Sequence, residues 1–241
     1  MRINRFIKTF TKNNSIRYRG FIQNFDSTVY SSSCINMDKI NKNIRKSSNF
    51  DNHEAVFFEC GKDYMFAVFV HNTNRGLSQG GARFYNEYKD IYELIDDGLR
   101  LSKGMTYKNA LAGLDWGGGK GIICAPNKTP ELLQKYGCFI SSLNGCYYTA
   151  EDVGLNTEDV THIYNKCRYT TCIPEVYGGS GNPSMYTAKG VVTAIDTVLN
   201  NRDERIEDMT VGIEGLGNVG KIVLEEIIDR NPKKIVVSET N

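Results

Sequence analysis

From Gly104 to Lys120 the chain reads GMTYKNALAGLDWGGGK, the stretch that most constrains its fold. Three consecutive glycines, Gly117 to Gly119, leave bare backbone immediately before Lys120. Bare backbone tolerates tight turns and lets other segments approach closely. A second lysine, Lys108, lies twelve residues earlier. Lys120 has the apolar neighbours Leu114, Trp116 and Ile122, so a compact backbone would partly desolvate it. Desolvation disfavours an ammonium, lowers its pKa and makes the amine a usable acid or base near neutrality. Lys108 is expected past a helix end, where it stays charged and can pair a carboxylate as a point charge. Asp152, in TAEDVG (Thr149–Gly154), is a candidate proton carrier beside Lys120. Alone, each would be an ordinary surface charge in a chain with 29 Lys and Arg. Their joint arrangement argues for a site.

The second constraint lies near the end of the sequence. Gly215-Leu216-Gly217-Asn218-Val219-Gly220 follows an apolar run and opens a helix-period segment. Glycines in this pattern permit a tight turn, close approach of a pyrophosphate to the backbone, and close helix–strand packing. The helix N-terminus supplies free N–H groups and the positive end of its dipole. Glu239 follows nineteen residues past Gly220, where an acid can accept both ribose hydroxyls and would repel a 2′-phosphate. The pattern therefore points to NAD.

Between these features the periodicity gives an outline. Ala55–Cys60 and Tyr64–His71 are Val- and Phe-rich runs flanking Gly61-Lys62-Asp63, a hairpin signal. Gly76, Gly80 and Gly81 suggest an irregular loop. A helix is expected from Ile91, with Gly104 ending it, then a long glycine-rich loop from Met105 to Gly121 and a buried strand to Cys124. Thr129-Pro130-Glu131 carries an N-cap hydroxyl, an N1 proline and a first-turn acid, and Asn144-Gly145 closes that helix. Another helix starts at Thr157. Gly178 to Asn182 reads as a joint, and Asn182-Pro183 opens a further helix. A strand from Met209 to Glu214, a helix from Lys221 to Arg230 and a strand from Lys234 to Val237 form a β–α–β unit with parallel pairing.

Composition removes several classes of function. The formal net charge is +1 over 241 residues, so nothing global points to nucleic acid. No apolar run approaches the roughly 18 residues of a membrane span. Seven cysteines, an odd number without a CxxC pair, argue against a disulfide framework or a structural zinc site. Met1 to Phe25 holds six basic residues and no acid, with Ile3, Phe6, Ile7 and Phe10 at helical spacing. That is the composition of a mitochondrial transit peptide. A solvated basic tail on a cytoplasmic protein is the alternative. Ser31 to Asn49, rich in Ser, Asn and Lys, reads as an unfolded linker.

GGAR (Gly80–Arg83), GMTYKNALAGLDWGGGK, TAEDVG, GSGNPSMYTAKGV (Gly179–Val191) and GLGNVG occur in this order. Together they resemble the Glu/Leu/Phe/Val dehydrogenase family, and its leucine and phenylalanine branch above all, over roughly residues 52–241. The resemblance implies an α/β fold: an amino-acid dehydrogenase-like substrate domain followed by the first β-α-β unit of an incomplete Rossmann nucleotide-binding domain. The expected division is a basic, disordered segment at 1–49, a substrate-binding and dimerisation domain at 50–181, and a truncated NAD-binding domain at 182–241. The implied reaction is reversible oxidative deamination of an L-amino acid by NAD to a 2-oxo acid and ammonia, in a homo-oligomer. Lys108 would bind the substrate carboxylate, Lys120 would activate the attacking water, and Asp152 would carry the amino-group proton. Gly80 would meet substrate through its backbone, with Gln79 and Ala150 at the pocket wall and Thr187 near the nicotinamide. Gly215, Gly217, Asn218, Val219, Gly220 and Glu239 would hold the adenosine diphosphate half.

Two departures from the family pattern matter. Gln79 stands where the glutamate branch has a lysine and the leucine and phenylalanine branch an apolar residue. An unpaired amide facing an apolar side chain would be unfavourable. It implies a polar or larger substrate, or an amide turned to solvent. The remaining motifs favour an apolar substrate over glutamate. Further, a nucleotide-binding domain of this type needs about six strands, and the sequence supplies two before Asn241. The expectation is therefore a fragment of a longer gene product, a split subunit or a decayed copy, with weak or no turnover alone. Two other readings stay open: a non-catalytic partner or subunit of such an enzyme, and a relative that couples an amino-acid-derived imine to another group.

Overall fold

The computed structural model describes residues 37–240 apart from Lys62. The basic segment Met1–Phe25 lies outside the described residues. The chain divides into two compact units, the first ending at Gly181 and the second beginning at Asn182.

The first unit is built on a mixed sheet. Strand β1 (Ala55–Cys60) pairs antiparallel with β2 (Met65–Asn72), the expected hairpin, and β2 pairs antiparallel with β5 (Gly117–Cys124). Two short strands, β3 (Ser78–Gln79) and β4 (Ala82–Phe84), run parallel to β5, and β3 also pairs with β6 (Tyr147–Tyr148). The segment containing Gly80 and Gly81 is thus two strands joined by a glycine pair, where a loop was expected. Sheet pairing satisfies its backbone groups and overrides the turn preference of glycine.

Alternation along the sheet feeds two cores. Val56, Phe58, Met65, Ala67, Phe69 and Ile122 face one side, against helices α1 (Met37–Lys46) and α2 (Ile91–Leu111). Phe57, Phe66, Val68, Val70 and Ile123 face the other, against α3 (Pro130–Ser142) and its neighbour α4 (Thr157–Tyr164). Both faces are buried, so β2 reads as a nearly continuous apolar run. Thr129 caps α3 by accepting the Leu132 N–H, and Asn156 and Asp159 form a capping box on α4.

Three expectations are corrected here. The linker reading of Ser31–Asn49 fails where α1 forms, because Ile40 and Ile44 are buried in the α2-side core. Tertiary burial of two large side chains outweighs the polar composition around them. Gly104 does not end α2, which continues to Leu111. A mid-helix glycine costs only about 1 kcal/mol relative to alanine, and α2 is anchored by buried Leu94, Ile95 and Leu99. The expected loop from Met105 to Gly121 is accordingly the last part of α2, a short turn and the start of β5.

The second unit contains α5 (Ser184–Asn201), β7 (Thr210–Glu214), α6 (Asn218–Ile228) and β8 (Lys234–Ser238). Strands β7 and β8 pair in parallel across α6, as the β–α–β reading requires. Ala188 and Val192 of α5 pack with Val223 and Ile227 of α6, and Arg230 ties the two helices by an ion pair to Asp196 at 3.2 Å. Val236 and Val237 of β8 are exposed. No helix among the described residues is long and apolar enough to cross a membrane.

Candidate active site

Strand β5 is where sequence and site meet. On the α3 face, a Cβ at Gly119 would lie 2.1 Å from Ser78 Oγ, and one at Gly121 the same distance from Tyr136 Oη. On the α2 face, a Cβ at Gly118 would lie 2.0 Å from Thr106 Oγ1. None of these positions admits a side chain. The glycines let both helical layers close on the strand, and Lys120 is the one long polar side chain it projects. In register, Lys120 lies opposite Phe69, and Arg83 of β4 lies opposite Ile122. Alternation puts Lys120, Arg83 and Gly118 on the α2 face.

Lys120 is 4% exposed, and its Nζ lies 2.9 Å from Oδ2 of Asp152. Burial pushes the Lys120 pKa below the usual lysine value, and the Asp152 charge only partly opposes this. Burial also acts on Asp152, raising its pKa, but Lys120 and Arg83 outweigh it and hold the carboxyl below the usual aspartate value. The pair therefore combines a carboxylate kept ionised with an amine brought toward neutrality. A Cβ at Gly81 would lie 2.7 Å from Asp152 Cβ, so that glycine leaves the room in which Asp152 sits.

Lys108 lies on the last turn of α2 and is exposed. It was expected beyond a helix end; it is instead part of the helix, because α2 runs on through Gly104. Gly80 backs onto the glycine strand: a Cβ there would lie 1.9 Å from Gly119 O. Its own carbonyl accepts the Tyr147 hydroxyl at 2.6 Å, and the same hydroxyl reaches Gly81 O at 3.2 Å. Tyr147 thus pins the glycine pair. Gln79, half-buried on β3, accepts a hydrogen bond from Asn109 Nδ2 at 3.4 Å. Asn109 also donates to Gly117 O at 2.7 Å. The amide oxygen at Gln79 is therefore engaged within the protein. Ala150 is buried, and its carbonyl accepts the Ala82 N–H.

Sequence reasoning missed the residues around this pair. Arg83 Nε lies 3.4 Å from Asp152 Oδ2, and its Nη1 lies 2.8 Å from Asp97 Oδ2. Tyr88 donates its hydroxyl to the same Asp97 oxygen at 2.8 Å. Arg83 belongs to the GGAR stretch and was in view, but no spacing along α2 marks Asp97 or Tyr88 as its partners.

The second unit carries the glycine turn. Gly215 has φ +86°, the left-handed region that favours glycine. A Cβ at Gly220 would lie 2.1 Å from Gly215 O, so turn and helix pack without a side chain. Nothing lies within 4 Å of a Cβ at Gly217, which leaves backbone open to an approaching group. The first turn of α6 begins at Asn218 and Val219. Glu239 folds back on this turn, accepting the Leu216 N–H through Oε2 and the Thr240 N–H through Oε1. Thr187, on the first turn of α5, is exposed and donates its hydroxyl to Pro183 O. A glycine turn with open space at Gly215 and Gly217 and an acid at the end of the next strand fit the adenosine half of a dinucleotide.

The family model for the Glu/Leu/Phe/Val dehydrogenase dimerisation domain matches residues 63–169, and that for Glutamate/Leucine/Phenylalanine/Valine dehydrogenase matches residues 178–241. The chain belongs to the Glu/Leu/Phe/Val dehydrogenase family. It is 38% identical over 185 residues to phenylalanine dehydrogenase of Lysinibacillus sphaericus, covering 73% of this chain and 48% of that one. It is 36% identical over 193 residues to leucine dehydrogenase of Bacillus subtilis, covering 78% of this chain and 53% of the relative. Among solved structures, L-tryptophan dehydrogenase from Nostoc punctiforme matches at 31% identity with a TM-score of 0.57, over 85% of this chain and 56% of that one. The chain spans about half the length of the curated relatives it matches. The α/β fold expected from the motifs is the fold of this family. Family members are NAD(P)-dependent dehydrogenases.

Proposed function

We propose that this chain serves reversible oxidative deamination of an L-amino acid with an apolar side chain, of the leucine, valine or phenylalanine kind, to the 2-oxo acid and ammonia. The observation that carries the reading is the 2.9 Å contact between the buried Lys120 amine and the half-buried Asp152 carboxylate. Lys108, exposed on the last turn of α2, is assigned to the substrate carboxylate. Asp152, ionised, accepts a proton from the substrate ammonium. The chemistry that bound NAD would supply is acceptance of the hydride from the substrate Cα. Lys120, as the neutral amine, takes a proton from the water that attacks the resulting imine carbon. Asp152 returns a proton to nitrogen, the C–N bond breaks as the hydroxyl proton passes back to the Asp152 carboxylate, and ammonia leaves with the 2-oxo acid; the protons left on Asp152 and Lys120 go to solvent. Burial supports this division of labour, since an amine near neutrality is the better base for water.

Small Ala150 and the engaged amide of Gln79 support an apolar substrate over glutamate, which would need a cation at the wall. Gly215, Gly217, Gly220, Asn218 and Val219 would hold the pyrophosphate, and Glu239 supports NAD over its 2′-phosphorylated form. Thr187 is assigned to the nicotinamide side. A homo-oligomer is the proposed assembly, because the first matched model is that of a dimerisation domain. Mitochondrial import is the proposed role of Met1–Phe25, and residues 1–50 fused to a fluorescent protein test it: a purely cytosolic signal defeats the assignment.

The test of the activity uses protein expressed from its complete native gene. NADH absorbance and free ammonia are followed with leucine, valine, phenylalanine, tryptophan and glutamate. Equal yields of NADH and ammonia, largest with an apolar substrate, are expected. NADH formed without ammonia would favour imine coupling, and no NADH with any substrate would favour a non-catalytic partner.

A further inference from the structure

Four charged groups form a line on the α2 face of the sheet. Lys120 meets Asp152 at 2.9 Å, Asp152 meets Arg83 at 3.4 Å, and Arg83 meets Asp97 at 2.8 Å. The two cations converge on the same oxygen, Oδ2 of Asp152. Asp97 is itself clamped, by the Tyr88 hydroxyl at 2.8 Å on Oδ2 and by Arg100 at 2.7 Å on Oδ1. The side chains of Arg83, Asp97 and Asp152 are 22%, 14% and 28% exposed, so solvent screens them weakly. The Tyr147 hydroxyl, donated to Gly80 O and Gly81 O, is pushed up in pKa chiefly by burial, and the Asp152 charge adds to this.

This geometry solves a problem posed by the proposed chemistry. Lys120 must be neutral to accept a proton from water. Losing its charge would strand the Asp152 carboxylate without a partner in a half-buried site, an expensive state. Arg83 is always charged. It stays beside Asp152 whichever form Lys120 takes. The two edges of its guanidinium serve two carboxylates at once, Nε toward Asp152 and Nη1 toward Asp97, and a lysine has no such fork. Without Asp97, the guanidinium would lose both its anchor and its neutralising charge.

We propose that Arg83, anchored by Asp97, is a positioning residue for the Lys120–Asp152 pair, keeping Asp152 paired and in place while Lys120 cycles between charged and neutral forms. The assignment rests on the deaminase reading for its purpose, and its electrostatic content can be read without turnover. Removing Arg83 ties Asp152 to Lys120 alone and strengthens the hold of the lysine on its proton. Removing the Asp97 charge leaves the guanidinium uncompensated and weakens that hold. The two substitutions therefore shift Lys120 in opposite directions, which a merely structural role would not produce.

The experiment is an NMR titration of protein from the complete native gene, labelled at lysine with ¹³C and ¹⁵N. The Lys120 resonance is identified by its absence from Lys120→Ala. In Arg83→Gln its midpoint is expected to rise by roughly one pH unit, and in Asp97→Asn to fall, as neighbouring-charge effects of this range do. In the deamination assay, the ascending limb of kcat/KM for Arg83→Gln should move to higher pH by the same amount, with kcat falling about tenfold or more and KM changing less than about threefold. Arg83→Lys should restore the titration more fully than kcat, because it returns charge without the fork. A Lys120 midpoint that is unchanged in folded Arg83→Gln, or that moves the same way in both variants, overturns the proposal. If Arg83→Gln fails to fold, the sign of the Asp97→Asn shift decides alone. If the unsubstituted protein has no turnover, the deaminase reading fails while the titration still decides the Arg83 assignment.

Discussion

Lys120 Nζ and Asp152 Oδ2 lie 2.9 Å apart, joining the middle of strand β5 to the loop after β6. The glycines on either side of Lys120 carry no side chain of their own, so neighbouring segments close tightly on this part of β5. The consequences of this contact and of the packing around it are open to direct measurement.

Lys120→Ala is expected to abolish deamination while leaving dinucleotide binding intact. The base for water is lost, a change worth about 10² to 10⁴ in rate for general base catalysis. NADH fluorescence titration should show unchanged affinity, and normal turnover would defeat the role given to this lysine.

The pH profile should show a limb set by Lys120. Its pKa is lowered by burial, so the neutral amine accumulates at a lower pH than for a free lysine. Activity should therefore rise with pH and level off below the usual lysine range. An ascending limb at or above that range would contradict the assignment.

Stability should fall in mild acid through His53. This ring is buried, with Nε2 near Leu99 O and Ser102 Oγ, and burial pushes its pKa down from 6.5 to about 4. The folded state therefore resists a proton that the unfolded chain accepts. Stability is full above the unfolded value near 6.5 and is lost as pH falls toward about 4. Between about pH 7 and about pH 5 the loss is about 2 kcal/mol. His71, stacked edge-on against His53 at 4.7 Å, is also lowered by burial and adds in the same direction, despite Asp51 beside it. Urea unfolding at the two pH values measures the difference. A His53→Gln variant that keeps the same pH dependence would refute the attribution to His53.

Ile44→Ala should destabilise the first unit by about 2 to 5 kcal/mol, the usual cost of truncating a fully buried aliphatic side chain. Ile44 of α1 is fully buried in the core shared with α2. A loss of only a few tenths of a kcal/mol in unfolding free energy, measured by urea denaturation, would mean that α1 is not docked there.

Gly217→Ala and Gly220→Ala should behave differently. At Gly220 a Cβ would meet Gly215 O at 2.1 Å, so alanine should disturb the folded turn itself. At Gly217 nothing lies within 4 Å, so alanine should leave folding unchanged and weaken NADH binding by about tenfold or more. Thermal unfolding and NADH titration of both variants separate the effects. Equal NADH affinity in Gly217→Ala would sink the cofactor assignment of that glycine.

Much of this was legible in the chain. The hairpin of β1 and β2, the cap at Thr129 and the β7–α6–β8 unit follow from period, capping chemistry and connection length, which are local properties. Lys108, Lys120, Asp152 and the glycine turn were each marked by motif. Local reasoning failed where packing outweighed propensity. Gly104 lies inside α2 because that helix is held by Leu94, Ile95 and Leu99, and Ser31–Asn49 hid α1 because two isoleucines sufficed to dock it. Gly76 to Gly81 looked like a loop because strands of two or three residues carry too few side chains to show a period.

The sequence by itself determined the two-part α/β organisation, the family and the residues competent for acid–base chemistry, because residue type, order and spacing carry those. Only the tertiary structure decided which charges meet. The Asp152 carboxylate comes from a loop, Arg83 from β4 and Asp97 from α2, segments far apart in the chain. Their distances, and hence the proton affinities that matter for function, depend on how closely glycine lets those segments approach β5.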